Sequence, residues 1–208
     1  MNTILDLNKL EQSAFRSKFN DGLLDITIGF LFFTFSQIPN LTDLGWGDFW
    51  SSTILLPAYL IAWLFYRRMK KYVITPRAGV FKYGQGRKQK LMRLNIFSLI
   101  ILSISLILGI ISLVKFSPGN WNVPVKFALV ILIGFSLSGW YLNLKRLIVY
   151  GFLIALAFVV GELLFRQGLA THHGIPLALG GAASLIIMTG IILLLRFIAK
   201  HQPAGEEL

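Results

Sequence analysis

Six apolar stretches alternate with shorter polar segments along the chain. The stretches cover residues 23–38, 49–66, 94–114, 124–142, 147–165 and 175–198. A transmembrane helix needs about 17 to 25 mostly apolar residues to cross the hydrocarbon core of a bilayer, and each stretch is close to that length. The pattern therefore predicts an all-α membrane protein with six transmembrane helices, which short connections fold into three antiparallel hairpins.

Three prolines add detail to these predicted helices. Pro124 and Pro176 fall at the first turns of the fourth and sixth helices, where a missing backbone N–H removes no helical hydrogen bond. Pro57 lies inside the second apolar stretch, where we expect it to kink the helix.

The polar segment 67–93 sets the predicted orientation, because it holds half of the chain's 20 Lys and Arg residues. Cations beside a membrane span are retained on the cytoplasmic side. If both termini are cytoplasmic, only Lys115, Lys126 and Arg166 fall on the opposite side. We therefore expect a multi-pass inner-membrane protein with both termini in the cytoplasm.

Composition supports a bilayer as the solvent for most of the chain. Hydrophobic residues make up 55% of it, charged residues only 14%, and the mean hydropathy is +0.69. Soluble domains have about 25% charged residues. The net charge of +11 would suggest nucleic acid for a soluble protein, but these cations flank apolar stretches. The expected partner is therefore the anionic cytoplasmic leaflet, where each Lys or Arg contributes about 1 kcal/mol to membrane binding. We expect no nucleic-acid partner.

Residues 1–20 form a separate predicted element, and residues 21–208 form the transmembrane domain. Apolar residues recur in 1–20 at helical spacing, with polar residues mostly on the other side. This pattern is typical of an amphipathic helix that lies in the membrane interface. The same helix would equally fit against the basic loop or another subunit.

The basic loop has an internal pattern of its own. β-prone residues at 72–75 and 80–83 flank the turn-forming sequence Pro76-Arg77-Ala78-Gly79, which predicts a small β-hairpin. Arg77 would lie at its tip and hold a lipid phosphate or an acidic partner. The alternative is a hairpin packed under the helices whose cations only enforce topology. The predicted lipid- or partner-binding residues are Arg67, Arg68, Lys70, Lys71, Arg77 and Lys82.

Two acidic residues, Asp21 and Asp25, lie four residues apart at the cytoplasmic start of the first stretch. A carboxylate at membrane depth is costly and is a functional candidate by default. The structural interpretation is also strong, because a helix N-terminus favours an anion. Arg67 and Arg68 return to the same side and offer a structural ion pair.

Glu162 is the only acid in the last four stretches. It has two open interpretations: an ion pair with Arg166 at i+4, or a cluster with His172 and His173 that accepts protons, gates in response to pH or binds a metal. Adjacent histidines rarely bind one ion, so we expect neither a metal nor another cofactor.

The sequences DGLLDI (21–26) and TPRAGVFKY (75–83) resemble a pattern found in prokaryotic six-helix integral membrane proteins that have no assigned activity. The resemblance implies a six-helix fold and a basic cytoplasmic hairpin, and it transfers no catalytic residue. It also implies that Asp21 and Asp25 contact the hairpin arginine.

No hydrolase motif such as HExxH or GxSxG occurs, so we expect no enzyme. The first functional hypothesis is association with lipid or a protein partner through the basic loop, with homo-oligomers possible. The alternative is a small proton- or ion-coupled transporter, or an oligomeric channel, that uses Asp25 and Glu162.

Overall fold

A computed structural model describes residues 21–78 and 122–201, together with Met92. In chain order, the helical elements are α1 (Leu23–Asp43), α2 (Asp48–Thr53), α3 (Leu55–Met69), a π-helical turn (Lys70–Ile74), α4 (Thr75–Ala78), α5 (Asn122–Leu142), α6 (Lys145–Arg166), a 3-10 turn (His172–Gly174), a second π-helical turn (Ile175–Leu179) and α7 (Gly180–Lys200). The elements from α2 to α4 follow one another as a single helix interrupted at Ile54. The described residues therefore form five helices and no strand.

Four of these helices are long and apolar enough to cross a membrane, by their length and composition. They are Phe49–Arg77, Pro124–Leu142, Lys145–Arg166 and His172–Lys200. Four helices of this length and apolar composition indicate a membrane protein. The helix α1 is of similar length but is not among the four, because residues such as Asp25, Gln37 and Asn40 lower its hydropathy.

The prediction of six transmembrane helices in three hairpins is therefore wrong: the described residues contain five helices and four candidate spans. One of the differences has a visible cause. The first predicted span becomes the more polar α1, which continues through Pro39 to Asp43. Consecutive helices were expected to pack as antiparallel neighbours, and α5 and α6, the predicted fourth and fifth spans, do so. The predicted span 94–114 and the predicted helix 1–20 lie outside the described residues.

The described residues fall into two compact units, one of residues 21–78 and 180–201 and the other of Met92 and residues 122–179. In the first unit, α1 is antiparallel to both α3 and α7. Small residues permit the α1–α7 contact: a Cβ atom at Gly29 would lie 2.9 Å from the carbonyl oxygen of Ala183. Such close approach between helices is typical of membrane proteins.

The cytoplasmic β-hairpin predicted for the basic loop is also wrong. Residues 70–78, which include the first predicted strand and most of the turn, are helical. The Thr75 N–H bonds to the Lys70 carbonyl five residues earlier, and this wider turn continues the helix. Pro76 follows this wider turn within the continuous helix and has no N–H to donate to a carbonyl of the preceding turn. The second predicted strand, at 80–83, lies outside the described residues.

Packing explains why β-prone residues are helical here. Ile74 is almost fully buried in a cluster with Leu23, Leu194 and Phe197, so the helical turn brings an apolar side chain into the core of the first unit. Burial of a side chain of this size stabilises by about 1.5 to 3 kcal/mol, which exceeds the spread of intrinsic β-propensities, about 1 kcal/mol.

The second unit is built on α5 and α6. A short turn reverses the chain at Asn143, and the helices then run antiparallel, with Phe127 stacked on Phe158 at a centroid distance of 6.4 Å. The turns at 172–179 pack back on α6. Pro124 and Pro176 both lie in the first turns of their helices, as predicted, and the second predicted span is interrupted at Ile54, just before Pro57.

Candidate functional site

The basic end of α3 is the first candidate site, and it carries cations that project from one continuous helix. Arg67, Arg68 and Lys71 are exposed. The Arg67 guanidinium lies 5.0 Å from the centroid of the Trp63 ring, and the Lys71 ammonium lies 5.1 Å from that of Tyr72. Such cation–π contacts orient the charge without neutralising it.

Lys70 differs from these three cations because it pairs with a buried carboxylate. Its ammonium bonds to Oδ2 of Asp21. The side chain of Asp21 is 1% exposed and that of Lys70 is 18% exposed. Oδ1 of Asp21 also accepts the Leu23 backbone N–H at 3.0 Å, so the carboxylate caps α1. Asp21 is thus paired with Lys70, and not with Arg67 or Arg68 as predicted.

Asp25 lies one turn further along α1 and is fully buried. It shares the buried face of α1 with Gly29 and Ser36. Ser36 is also fully buried and donates its hydroxyl to the Phe33 carbonyl at 2.7 Å. The buried face of this helix is therefore partly polar, which agrees with its low hydropathy.

Arg77 lies on the helix and not at a hairpin tip. Its Nη1 donates to the Val73 carbonyl at 3.0 Å, and within the described part of the chain its buried Nε has no hydrogen-bond partner. Lys82, the last of the predicted binding cations, lies outside the described residues.

Glu162, near the end of α6, is the second candidate site. It is 2% exposed. Its Oε1 accepts the Arg166 Nε–H at 2.8 Å, and its Oε2 lies 2.8 Å from Nδ1 of His173. The two interpretations of Glu162 therefore coincide in part, since the carboxylate contacts both the i+4 arginine and one of the two histidines.

The turn that presents His173 has an uncommon backbone. His172, His173 and Gly174 all have positive φ angles, of 49°, 53° and 62°. Such values cost non-glycine residues free energy and persist only where packing enforces them. The packing is visible at Gly174, where a Cβ atom would overlap backbone atoms of Gly161 on α6.

The ring of His173 is held from two sides but remains open to solvent. It lies against Phe165 with a centroid distance of 4.3 Å, and 42% of its side chain is exposed. His172 is partly exposed on the same turn. Across the described residues, no group of three or more His, Asp or Glu side chains is arranged to hold a metal ion.

Sequence reasoning missed two features of these sites. The pairing of Lys70 with Asp21 joins residues 49 positions apart, and no pattern in the sequence indicates it. The fully buried Ser36 and Ser51 were also missed. The spacing of Ser36 from Asp25 and Gly29, 11 and seven residues, is a helical signal that would have found it.

No protein-family model, no curated protein and no solved structure matches this chain. Function is therefore inferred from the side chains described above.

Proposed function

We propose that this membrane protein acts by association, and that the basic end of α3 binds the anionic lipid headgroups of the cytoplasmic leaflet. The observation that carries the proposal is the separation of the cations into two groups. Asp21 neutralises Lys70, whereas Arg67, Arg68 and Lys71 are exposed and form no ion pair with a carboxylate in the described residues.

The residues before these cations support lipid as the partner. The exposed side chains of α3 include Leu60, Ile61, Leu64 and Phe65, which suit the acyl chains of a bilayer. Trp63 lies among them, with the Arg67 guanidinium over its ring, as is typical of aromatic residues near a membrane interface. Along the helix, exposed apolar and aromatic residues are therefore followed by exposed cations, which matches the change from acyl chains to headgroups in a leaflet.

Charge sets the side of the membrane in this proposal. The cytoplasmic leaflet is anionic, and each Lys or Arg near its surface contributes about 1 kcal/mol. The orientation with the basic end in the cytoplasm of an inner membrane follows from the excess of cations at this end.

Lipid selectivity tests the proposal. The purified chain is reconstituted in phosphatidylcholine with a trace of spin-labelled phosphatidylserine or spin-labelled phosphatidylcholine, and the motionally restricted fraction of each label is measured. We expect a preference for phosphatidylserine that falls with salt and disappears in the triple variant Arg67→Gln, Arg68→Gln, Lys71→Gln. Lys126→Gln, an exposed cation on α5, is the matched control and should keep the preference.

An equal restriction of both labels by the unaltered protein would overturn the proposal. If the three cations instead retain an acidic protein through purification while lipid selectivity is absent, the partner is a protein and the lipid assignment is wrong.

The contact of Glu162 with His173 favours a second candidate function, a proton-coupled activity. A buried carboxylate bonded to a solvent-exposed imidazole provides a route for a proton between water and the interior. Exposure of the His173 ring supports an entry of this route from solvent.

Proton flux into liposomes tests this second function. We expect Glu162→Gln and His173→Gln to abolish a flux that the unaltered protein supports, and His172→Gln to preserve it. Absence of flux from folded, correctly inserted protein, across pH and imposed voltage, would exclude the proton-coupled activity and leave the association proposal intact.

A further inference from the structure

An exposed aromatic surface lies at the opposite end of α3 from the basic residues. It consists of Trp46, Phe49 and Trp50, which are 49%, 73% and 65% exposed. The rings of Phe49 and Trp50 meet edge to face with a centroid distance of 5.5 Å. Side chains of this size rarely project together into water without a partner.

The short helix α2 is held in one orientation, so these rings are presented in a fixed direction. The Ser51 hydroxyl lies 2.9 Å from that of Thr42 on α1, and Ser51 is fully buried. The Trp46 backbone N–H bonds to the Leu41 carbonyl at 3.2 Å. One face of α2 is therefore tied to the end of α1, and the aromatic face is left outward.

Distance along the helix places the two ends at opposite faces of a bilayer. At 1.5 Å per residue, the rise from Trp50 to Arg67 is about 26 Å. The hydrocarbon core of a bilayer is about 30 Å thick. If Arg67 lies among headgroups on one side, Trp50 reaches the boundary between headgroups and acyl chains on the other.

Charge distinguishes the aromatic surface from the basic end. No Lys or Arg occurs between Lys18 and Arg67, so α1 and α2 offer no cation beside these rings to select an anionic lipid. Indole and phenyl rings prefer the interfacial layer of a membrane whatever the headgroup charge, because one part of that layer is apolar and the other is hydrated.

We propose that Trp46, Phe49 and Trp50 form an interfacial anchor that inserts into the leaflet opposite the basic end and is satisfied by zwitterionic lipid. The anchor fixes the depth of the loop between α1 and α3 and prevents this hairpin from sliding along the membrane normal. It does not depend on the lipid selectivity of the basic end.

Tryptophan quenching in phosphatidylcholine tests the anchor. The variant Trp63→Phe, Trp121→Phe, Trp140→Phe keeps only Trp46 and Trp50 as emitters. We expect strong loss of emission with bromine near the ester linkage, a smaller loss with bromine near the end of the acyl chain, and little loss with aqueous acrylamide. Addition of phosphatidylserine should leave this pattern unchanged.

Two outcomes would overturn the proposal. Quenching by acrylamide to the extent seen for free tryptophan, with little effect of brominated lipid, places the surface in water. Bromine quenching that appears only when protein is diluted with excess lipid shows that a second copy covers the surface. If the triple variant does not fold, a spin label at Phe49→Cys, in a chain without native cysteine, gives the same depth from collisions with oxygen and with an aqueous nickel complex.

Discussion

The two buried carboxylates at the ends of helices, Asp21 and Glu162, are held by partners at very different distances along the chain. Asp21 bonds to Lys70, 49 residues away, and thereby joins the start of α1 to the end of α3. Glu162 bonds to Arg166 four residues away and to His173 eleven residues away. The first contact connects two helices, whereas the second closes a local turn.

This difference predicts different consequences of substitution. The loss of Lys70 leaves a buried charge at the junction of separate helices, so the packing of the first unit should suffer. The loss of one partner of Glu162 leaves the other in place. The substitution of a single partner should therefore disturb the Glu162 site less than the Asp21 site.

The largest effect is expected for Lys70→Met, because an uncompensated carboxylate then stays buried. Removal of one partner of a buried ion pair lowers the free energy of unfolding by about 3 to 5 kcal/mol. Because Lys70 is partly exposed, we expect a loss near the lower value of this range. Unfolding in detergent, followed by circular dichroism, measures the change.

The neighbouring Lys71→Met is the control for charge and helix propensity. Lys71 is exposed, and its replacement should change the free energy of unfolding by less than about 0.5 kcal/mol. Equal effects of the two substitutions would show that the Asp21–Lys70 pair does not stabilise the junction.

Gly174→Ala should destabilise the second unit by a smaller but clear amount. Gly174 has a positive φ of 62°, which costs a non-glycine residue about 1 to 2 kcal/mol. The added Cβ atom would also overlap Gly161, and overpacking of this kind costs about 1 to 3 kcal/mol. Thermal unfolding of Gly174→Ala, compared with that of the unaltered protein, measures the loss of stability.

The control Gly168→Ala separates the cost of a positive φ from the cost of steric overlap. Gly168 also has a positive φ, of 72°, but no atom lies within 4 Å of the position of its added Cβ. This variant should therefore show the backbone cost alone. A Gly168→Ala variant as unstable as Gly174→Ala would remove the evidence that the turn is packed tightly on α6.

His173→Gln is expected to have the smallest effect on stability, about 1 kcal/mol, because Arg166 still bonds to Glu162 in the variant. Hydrogen exchange of residues 169–175 in the variant and in the unaltered protein measures the change.

His172→Gln is the matched control on the same strained turn and should change hydrogen exchange less. If His172→Gln and His173→Gln change hydrogen exchange equally, the contact of His173 with Glu162 does not stabilise the turn.

Hydropathy predicted the long helices of the second unit well. The stretches 124–142 and 147–165 correspond to α5 (Asn122–Leu142) and α6 (Lys145–Arg166), because a long apolar run leaves few alternatives to a helix in a membrane protein. For Glu162 the sequence left two interpretations open, an ion pair with Arg166 or a cluster with His172 and His173, and the carboxylate contacts Arg166 and His173.

The end of α3 was predicted poorly, for physical reasons. Residues 72–75 have β-branched or aromatic side chains, and propensity alone favours a strand. Burial of Ile74 beside Leu23 and Phe197 depends on contacts with helices distant in sequence, which no local pattern shows. The pairing of Lys70 with Asp21 likewise joins residues 49 positions apart, so local spacing did not predict it.

The most direct test of the central claim, that the basic end of α3 faces the cytoplasmic leaflet, is the accessibility of single cysteines in a chain that has none of its own. Tyr72→Cys, beside Lys71, and Leu44→Cys, at the other end of the α1–α3 pair, are both at exposed positions. In intact bacterial cells, a membrane-impermeant maleimide should label Leu44→Cys and should label Tyr72→Cys only after permeabilisation. Labelling of Tyr72→Cys in intact cells would contradict the account, because the cations would then face away from the anionic leaflet.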